Sequence, residues 1–195
     1  MFRQINVCEE HQNFQCILWR DKNTNKICVY ALRTVTYGTT SAPYLAIRVL
    51  QQLASDEEKN FPQASNILRS DTYVDDVISG ADDFDTVLKL QQQLCSLLQS
   101  GGFRLRKWNS NSTNLLQHIP EEDREKKELF SIHQPNMAKA LGIYWDTTND
   151  YFCFSINFTF SSIITKSSLL SDAAKLFDPL GWLSPTTIVA KIIFQ

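Results

Sequence analysis

Glycine and proline are scarce, six of each in 195 residues. None of the glycines is arranged as Gly-x-Gly-x-x-Gly or as a Walker loop, so a dinucleotide-binding unit or a P-loop is unsupported. No apolar run approaches the ~20 residues a membrane helix needs. The opening residues, Met1-Phe2-Arg3-Gln4-Ile5-Asn6, carry no apolar leader core, so no secretory signal is expected and an intracellular, cytoplasmic location is. The five cysteines, Cys8, Cys16, Cys28, Cys95 and Cys153, stand singly. Without a Cys-x-x-Cys or a Cys/His cluster, a zinc site is unsupported. The odd number and apolar neighbours read as reduced core thiols. Asn111-Ser112-Thr113 and Asn157-Phe158-Thr159 match the glycosylation pattern, a chance match in a chain without a leader. Neither Asp-Thr-Gly nor Asp-Ser-Gly occurs, which excludes an aspartic protease. Charge of either sign is not in excess: the formal net charge is −2. That counts against a free-standing nucleic-acid binder, but less against an acidic centre that grips phosphates through metal ions.

What is present suits one globular domain with a real core, or one domain and part of a second. Runs 14–19 and 27–35 are β-prone and flank a polar turn, a hairpin pattern. Ser41 and Pro43 predict a helix start, with Leu45, Val49, Leu50 and Leu53 on one face and an end near 56–59, before Pro62. A tight loop at Gly38 leads into it, and its helix N-terminus suits a phosphate or base partner; an ordinary capped helix reads equally well. Asp82 or Asp83 caps a second predicted helix, in which Phe84, Val87, Leu88, Leu94 and Leu98 recur at helical spacing and Gly101-Gly102 ends the run. Phe103-Arg104-Leu105-Arg106-Lys107-Trp108 alternates apolar and basic, as a strand with one charged face would; that face reads either as solvated or as a phosphate contact. A mixed-charge run at 121–128 reads as a solvated loop or short surface helix. Runs 140–145 and 151–160 predict another hairpin, with Phe152, Phe154, Ile156 and Phe158 on one face. A helix is expected over 169–177, and a further apolar segment then runs to the C-terminus without a stop signal.

The centre of the chain is Ser70-Asp71-Thr72-Tyr73-Val74-Asp75-Asp76-Val77-Ile78-Ser79-Gly80. Two short β-prone runs flank adjacent carboxylates, which predicts a hairpin with Asp75 and Asp76 at its tip. Adjacent anions repel unless a cation sits between them. Hard divalent cations take oxygen ligands, and Mg²⁺ is held through one or two carboxylates plus substrate phosphates. The local sequence also fits a solvated acidic turn.

Four phrases, in order, resemble one family. They are Thr34-Val35-Thr36-Tyr37-Gly38-Thr39-Thr40-Ser41-Ala42-Pro43-Tyr44, Tyr73-Val74-Asp75-Asp76, Gly102-Phe103-Arg104-Leu105-Arg106-Lys107-Trp108 and Leu176-Phe177-Asp178-Pro179-Leu180-Gly181. The chain is similar over nearly its whole length to the reverse transcriptases of BEL/Pao retrotransposons. The resemblance implies an α+β polymerase palm, an antiparallel sheet backed by helices, over residues 1–145. It implies a hairpin and the start of a thumb or connection region over 146–195. The activity implied is RNA-directed DNA polymerisation with a pair of Mg²⁺ ions about 4 Å apart, or Mn²⁺ in their place. Implied partners are an RNA or DNA template, a DNA primer, dNTPs and the remainder of a Pol polyprotein, within a virus-like particle in an intact element.

Residue by residue, the resemblance makes Asp75 and Asp76 the catalytic, metal-binding box. Phe2 becomes the gate under the nucleotide sugar, and Tyr37 and Gly38 part of the nucleotide pocket. Lys107 or Arg106 would stand near the triphosphate. Leu141, Gly142 and Ile143 resemble the primer-grip hairpin. One departure stands out: the family carries an aspartate five residues before the gate aromatic, and here only Met1 precedes Phe2. The expectation is therefore a fragment that is inactive by itself. Its alternative is a non-catalytic remnant or interaction module keeping the palm fold. A Ca²⁺ loop using Asp75, Asp76, Asp82 and Asp83 fails the EF-hand spacing, with Val77 at a ligand position and no closing glutamate.

Overall fold

The structure, a computed structural model, describes residues 1–125, 137–154, 165–176, 178 and 180–193. It divides into two compact units, Met1–Leu105 and Arg106–Gln195. That division falls ahead of residue 145, where the resemblance sets its boundary.

The first unit opens with a 3-10 turn, Phe2–Gln4, and a short helix α1, Glu9–Gln12. Strands β1, Cys16–Arg20, and β2, Ile27–Ala31, form the hairpin read from the sequence, with Leu18 opposite Val29. Every residue of both strands is exposed. Gln15 ties the base of this hairpin: its amide donates to the carbonyls of Leu32 and Thr34 at 2.7 and 3.0 Å. Ile5 and Val35 are buried where 5–7 runs antiparallel to 33–35.

The core of this unit is helical. Helix α2, Ala42–Asp56, buries Ala42, Ala46, Leu50 and Ala54. Of the face expected at Leu45, Val49, Leu50 and Leu53, Leu50 is buried, Val49 and Leu53 are half-buried and Leu45 is exposed. The small side chains of Ala42, Ala46 and Ala54 let a neighbouring helix approach closely, and α3, Pro62–Ser70, takes that place with Ala64, Ile67 and Leu68. Helix α3 is not expected from the sequence, where Pro62 reads as a stop to α2; Pro62 instead stands in the first turn of α3. Arg69 on α3 forms a fork to Glu58, both contacts at 3.0 Å. Helix α4, Phe84–Ser100, closes the core with Leu94, Leu97 and Leu98. It ends as predicted at the glycine pair: Gly102 adopts φ 76°, its N–H donates to Gln99, and the Phe103 N–H donates to Leu98. Between α3 and α4 lies the smallest sheet, β3 (Thr72–Tyr73) paired with β4 (Asp76–Val77).

The second unit contains α5, Thr113–Gln117, and a three-stranded antiparallel sheet ordered β5-β6-β7, from Met137–Ala140, Ile143–Asp146 and Tyr151–Cys153. Leu115, Ile119, Ala138 and Ile143 are buried there. Strand β5 was not foreseen. Of the aromatic face expected after Tyr151, Ile156 and Phe158 lie outside the described residues, as do 126–128 of the charged run. Helix α6 spans Lys166–Ala174, earlier than the expected 169–177, whose last residue also lies outside them. Helix α7 spans Ser184–Ile193. Asp178 anchors the turn before it by accepting the N–H groups of Trp182 and Leu183, and Trp182 packs on Phe152 and Phe154 at 5.3 and 6.4 Å between ring centres.

The class is α+β, with helices and, among the described residues, three small antiparallel sheets. The antiparallel sheet that the resemblance implies is not seen as one sheet among the described residues: β1-β2 and β3-β4 are separate pairs. Residues 103–106 do alternate, Phe103 buried and Arg104 and Arg106 exposed, but they belong to no strand. Lys107 at φ 59° turns the chain out of the extended region, and Trp108 makes only an isolated bridge to Arg124.

Candidate functional site

The acidic hairpin grows from the C-terminus of α3. Thr72 pairs with Val77 and Tyr73 with Asp76, so the turn consists of Val74 and Asp75. Only Asp75 sits at the tip; Asp76 opens β4, a correction to the expectation that both would occupy the turn. Val74 has φ 55°. A positive φ at the first turn residue is where a two-residue hairpin normally places glycine, and a β-branched residue there is strained. Both carboxylates are exposed.

Asp75 borders a cleft of about 60 Å³ whose floor includes Leu50, Leu68 and Leu98. Met1, Gln4 and Arg104 border the same cleft. That volume admits an ion and a few waters; a small-molecule pocket is typically 300–1,000 Å³. The cleft is too small to enclose a nucleotide. Sequence reading gave Phe2 the role at this end of the chain, yet the cleft is bordered by Met1 and Gln4, on either side of it. Phe2 itself is half-buried in the 3-10 turn. Gln4 was legible in principle, since the 3-10 turn places it one turn on from Met1.

Tyr37 and Gly38 stand in the turn before α2. Tyr37 is exposed, Gly38 has φ 89°, and the Thr39 hydroxyl donates to the Thr36 carbonyl at 2.9 Å. Ser41 occupies the N-cap position, but its side chain makes no capping bond. Neither Tyr37 nor Gly38 borders the cleft.

The other expected site residues belong to the second unit. Arg106 Nε lies 3.9 Å from Asp123 Oδ1, and Lys107 is exposed. Leu141 and Gly142, with φ 52° and 82°, form the two-residue turn between β5 and β6, and Ile143 is buried just after it. Positive φ at both turn positions is the sign pattern of a type I′ hairpin.

Among the described residues no group of three or more His, Cys, Asp or Glu side chains could hold a metal ion.

Residues 165–195 match a protein-family model described as a Pao retrotransposon-like RNaseH-like domain. The match supports a Pao retrotransposon origin. It covers less than a fifth of the chain, and takes in α6, Asp178, Trp182 and α7. A Pol-related fragment of such a retrotransposon is consistent with it. No curated protein and no solved structure matches the chain. Among the described residues no helix is long and apolar enough to cross a membrane.

Proposed function

We propose that the chain carries part of the nucleotidyl-transfer centre of a Pao-type retrotransposon reverse transcriptase, with Asp75 and Asp76 as its metal-holding carboxylates. The observation that carries this reading is the cleft: a strained turn presents Asp75 beside Met1 and Gln4. Gln4 falls within Phe2-Arg3-Gln4-Ile5, which resembles the tail of the family's first catalytic motif, and Met1 directly precedes that phrase, far from Asp75 in sequence. The retrotransposon match near the C-terminus is an independent support.

When bound, Mg²⁺ or Mn²⁺ would supply Lewis-acid polarisation of a phosphoryl oxygen. The chain's own contribution is positional. Asp75 and Asp76 supply adjacent anions on a short hairpin, and the Gln4 side chain adds a neutral donor and acceptor at the cleft rim. Template, primer and dNTP would approach the exposed side of the hairpin. Tyr37, Gly38, Phe2, Lys107 and the Leu141-Gly142-Ile143 turn keep, in this reading, the nucleotide and primer roles the resemblance gives them. A second reading, an interaction module without catalysis, draws on a different observation: β1 and β2 leave apolar side chains exposed on both faces.

Mn²⁺ titration of the 195-residue chain, followed by paramagnetic broadening of backbone amides, separates the two. Weak Mn²⁺ binding centred on Asp75 and Asp76, lost in Asp75→Asn, is the expected result. Primer extension by the same chain with Mg²⁺ and dNTPs should be undetectable, because two carboxylates do not complete a two-ion centre. Broadening centred elsewhere, or unchanged in Asp75→Asn, sinks the metal assignment.

A further inference from the structure

We propose that Asp71 is a positioning residue for the acidic hairpin, closing its open end through Ser79 and so fixing where Asp75 and Asp76 stand. The functional meaning of that position rests on the reading of the pair given above; the clamp itself does not.

Three observations converge on Asp71. First, the β3–β4 ladder has only two residue pairs, and a two-stranded hairpin is marginal in water even when longer. Its turn carries strain at Val74, φ 55°, which favours opening. Something outside the ladder must hold it. Second, Asp71 supplies a third rung: its carbonyl accepts the Ile78 N–H at 3.0 Å. Its carboxylate bridges the same gap, because Ser79 Oγ donates to Oδ2 at 2.6 Å and Ser70 Oγ lies 2.7 Å from Oδ1. Short contacts of this kind to an ionised carboxylate are the stronger class of hydrogen bond. Third, Asp71 is the C-cap of α3, its N–H donating to Ile67. A negative charge at a helix C-terminus opposes the helix dipole, so the carboxylate is unfavourable for α3 and is offset by what it binds across the hairpin.

The two serines differ. Ser70 has one hydroxyl proton and two acceptors in reach, Asp71 Oδ1 and the Asn66 carbonyl at 2.9 Å. Ser79 directs its hydroxyl to Asp71, and lies on the far side of the hairpin. It is the side-chain tie that spans residues 72–77.

The test uses the full chain and the variants Ser79→Ala, Ser79→Thr and Asp71→Asn. In Ser79→Ala and Asp71→Asn the Ile78 amide should exchange about tenfold faster, the scale of one charge-assisted hydrogen bond. The backbone order parameters of Asp75 and Asp76 should fall, while the thermal midpoint, set by the α2-α3-α4 core, stays close to wild type. Ser79→Thr keeps the hydroxyl and should restore both signals. Wild-type exchange and order in Ser79→Ala would overturn the proposal, as would equal losses in Ser79→Thr. Mn²⁺ then probes the consequence: affinity should drop about tenfold in Ser79→Ala, the low end for residues that orient metal ligands. Absence of Mn²⁺ binding by wild type would count against the metal reading, and leaves the order parameters to decide the clamp.

Discussion

Ser65 is wholly enclosed within the first unit, and among the described residues its hydroxyl meets no hydrogen-bond partner. A buried hydroxyl without a partner loses its water and gains nothing in return. Ser65→Ala should therefore raise unfolding stability by about 1 kcal/mol, read from the urea midpoint. Leu97, equally enclosed on α4, goes the other way: Leu97→Ala leaves a void and should cost about 2–5 kcal/mol. At this scale the acidic pair was legible from two neighbouring aspartates between β-prone runs. Its split between turn and strand was not, because hairpin register is set by pairing. Asp71 was invisible for a related reason. Its partner Ser79 is eight positions away, and only the folded hairpin brings them together.

Elements were legible where several local signals agree. In α4 the Asp83 cap, the leucines and the Gly101-Gly102 stop all point the same way, and the helix runs from Phe84 to Ser100. In α2 the bounds and the burial of Leu50 were readable but the rest of the buried face was not, since periodicity counts large apolar residues while close helix packing placed Ala42, Ala46 and Ala54 there. Asp83 also makes α4 sensitive to acid. Its Oδ1 accepts the Thr86 N–H at 2.8 Å, and hydrogen bonding by Thr86 holds the carboxyl below its ordinary 3.8. Asp21 and Asp146 are lowered likewise by turn hydrogen bonds, and Glu58 by its bond to Arg69. A group lowered on folding stabilises above its unfolded value, and that share is lost as pH falls through the lower folded one. Thermal midpoints should thus hold near neutrality and decline once pH drops below about 4.5. Asp83→Asn, an equally good cap, should keep the neutral midpoint and flatten part of the acid decline. A decline as steep as wild type would show that the Asp83 cap is not what titrates.

For the whole molecule, the α+β class was implied by the resemblance, and a Pao retrotransposon source, which the C-terminal match supports, by a few phrases. The arrangement of strands did not follow, because short β-prone runs do not specify which edge they pair with. Among the described residues, one apolar surface left outside the core is the hairpin of β1 and β2. Leu18 and Val29, opposite each other, are 73% and 65% exposed, and Trp19 and Tyr30 on the reverse face are 56% and 50% exposed. A net charge of only −2 supplies little repulsion between molecules. The hairpin therefore governs the colloidal behaviour of the chain: its osmotic second virial coefficient should be negative near neutral pH. Leu18→Lys with Val29→Lys should turn it positive without lowering the thermal midpoint, because both side chains leave water in neither state. Static light scattering over a concentration series reads the sign directly, and the sticky face of one small ribbon then sets how concentrated a clear solution of this protein can become.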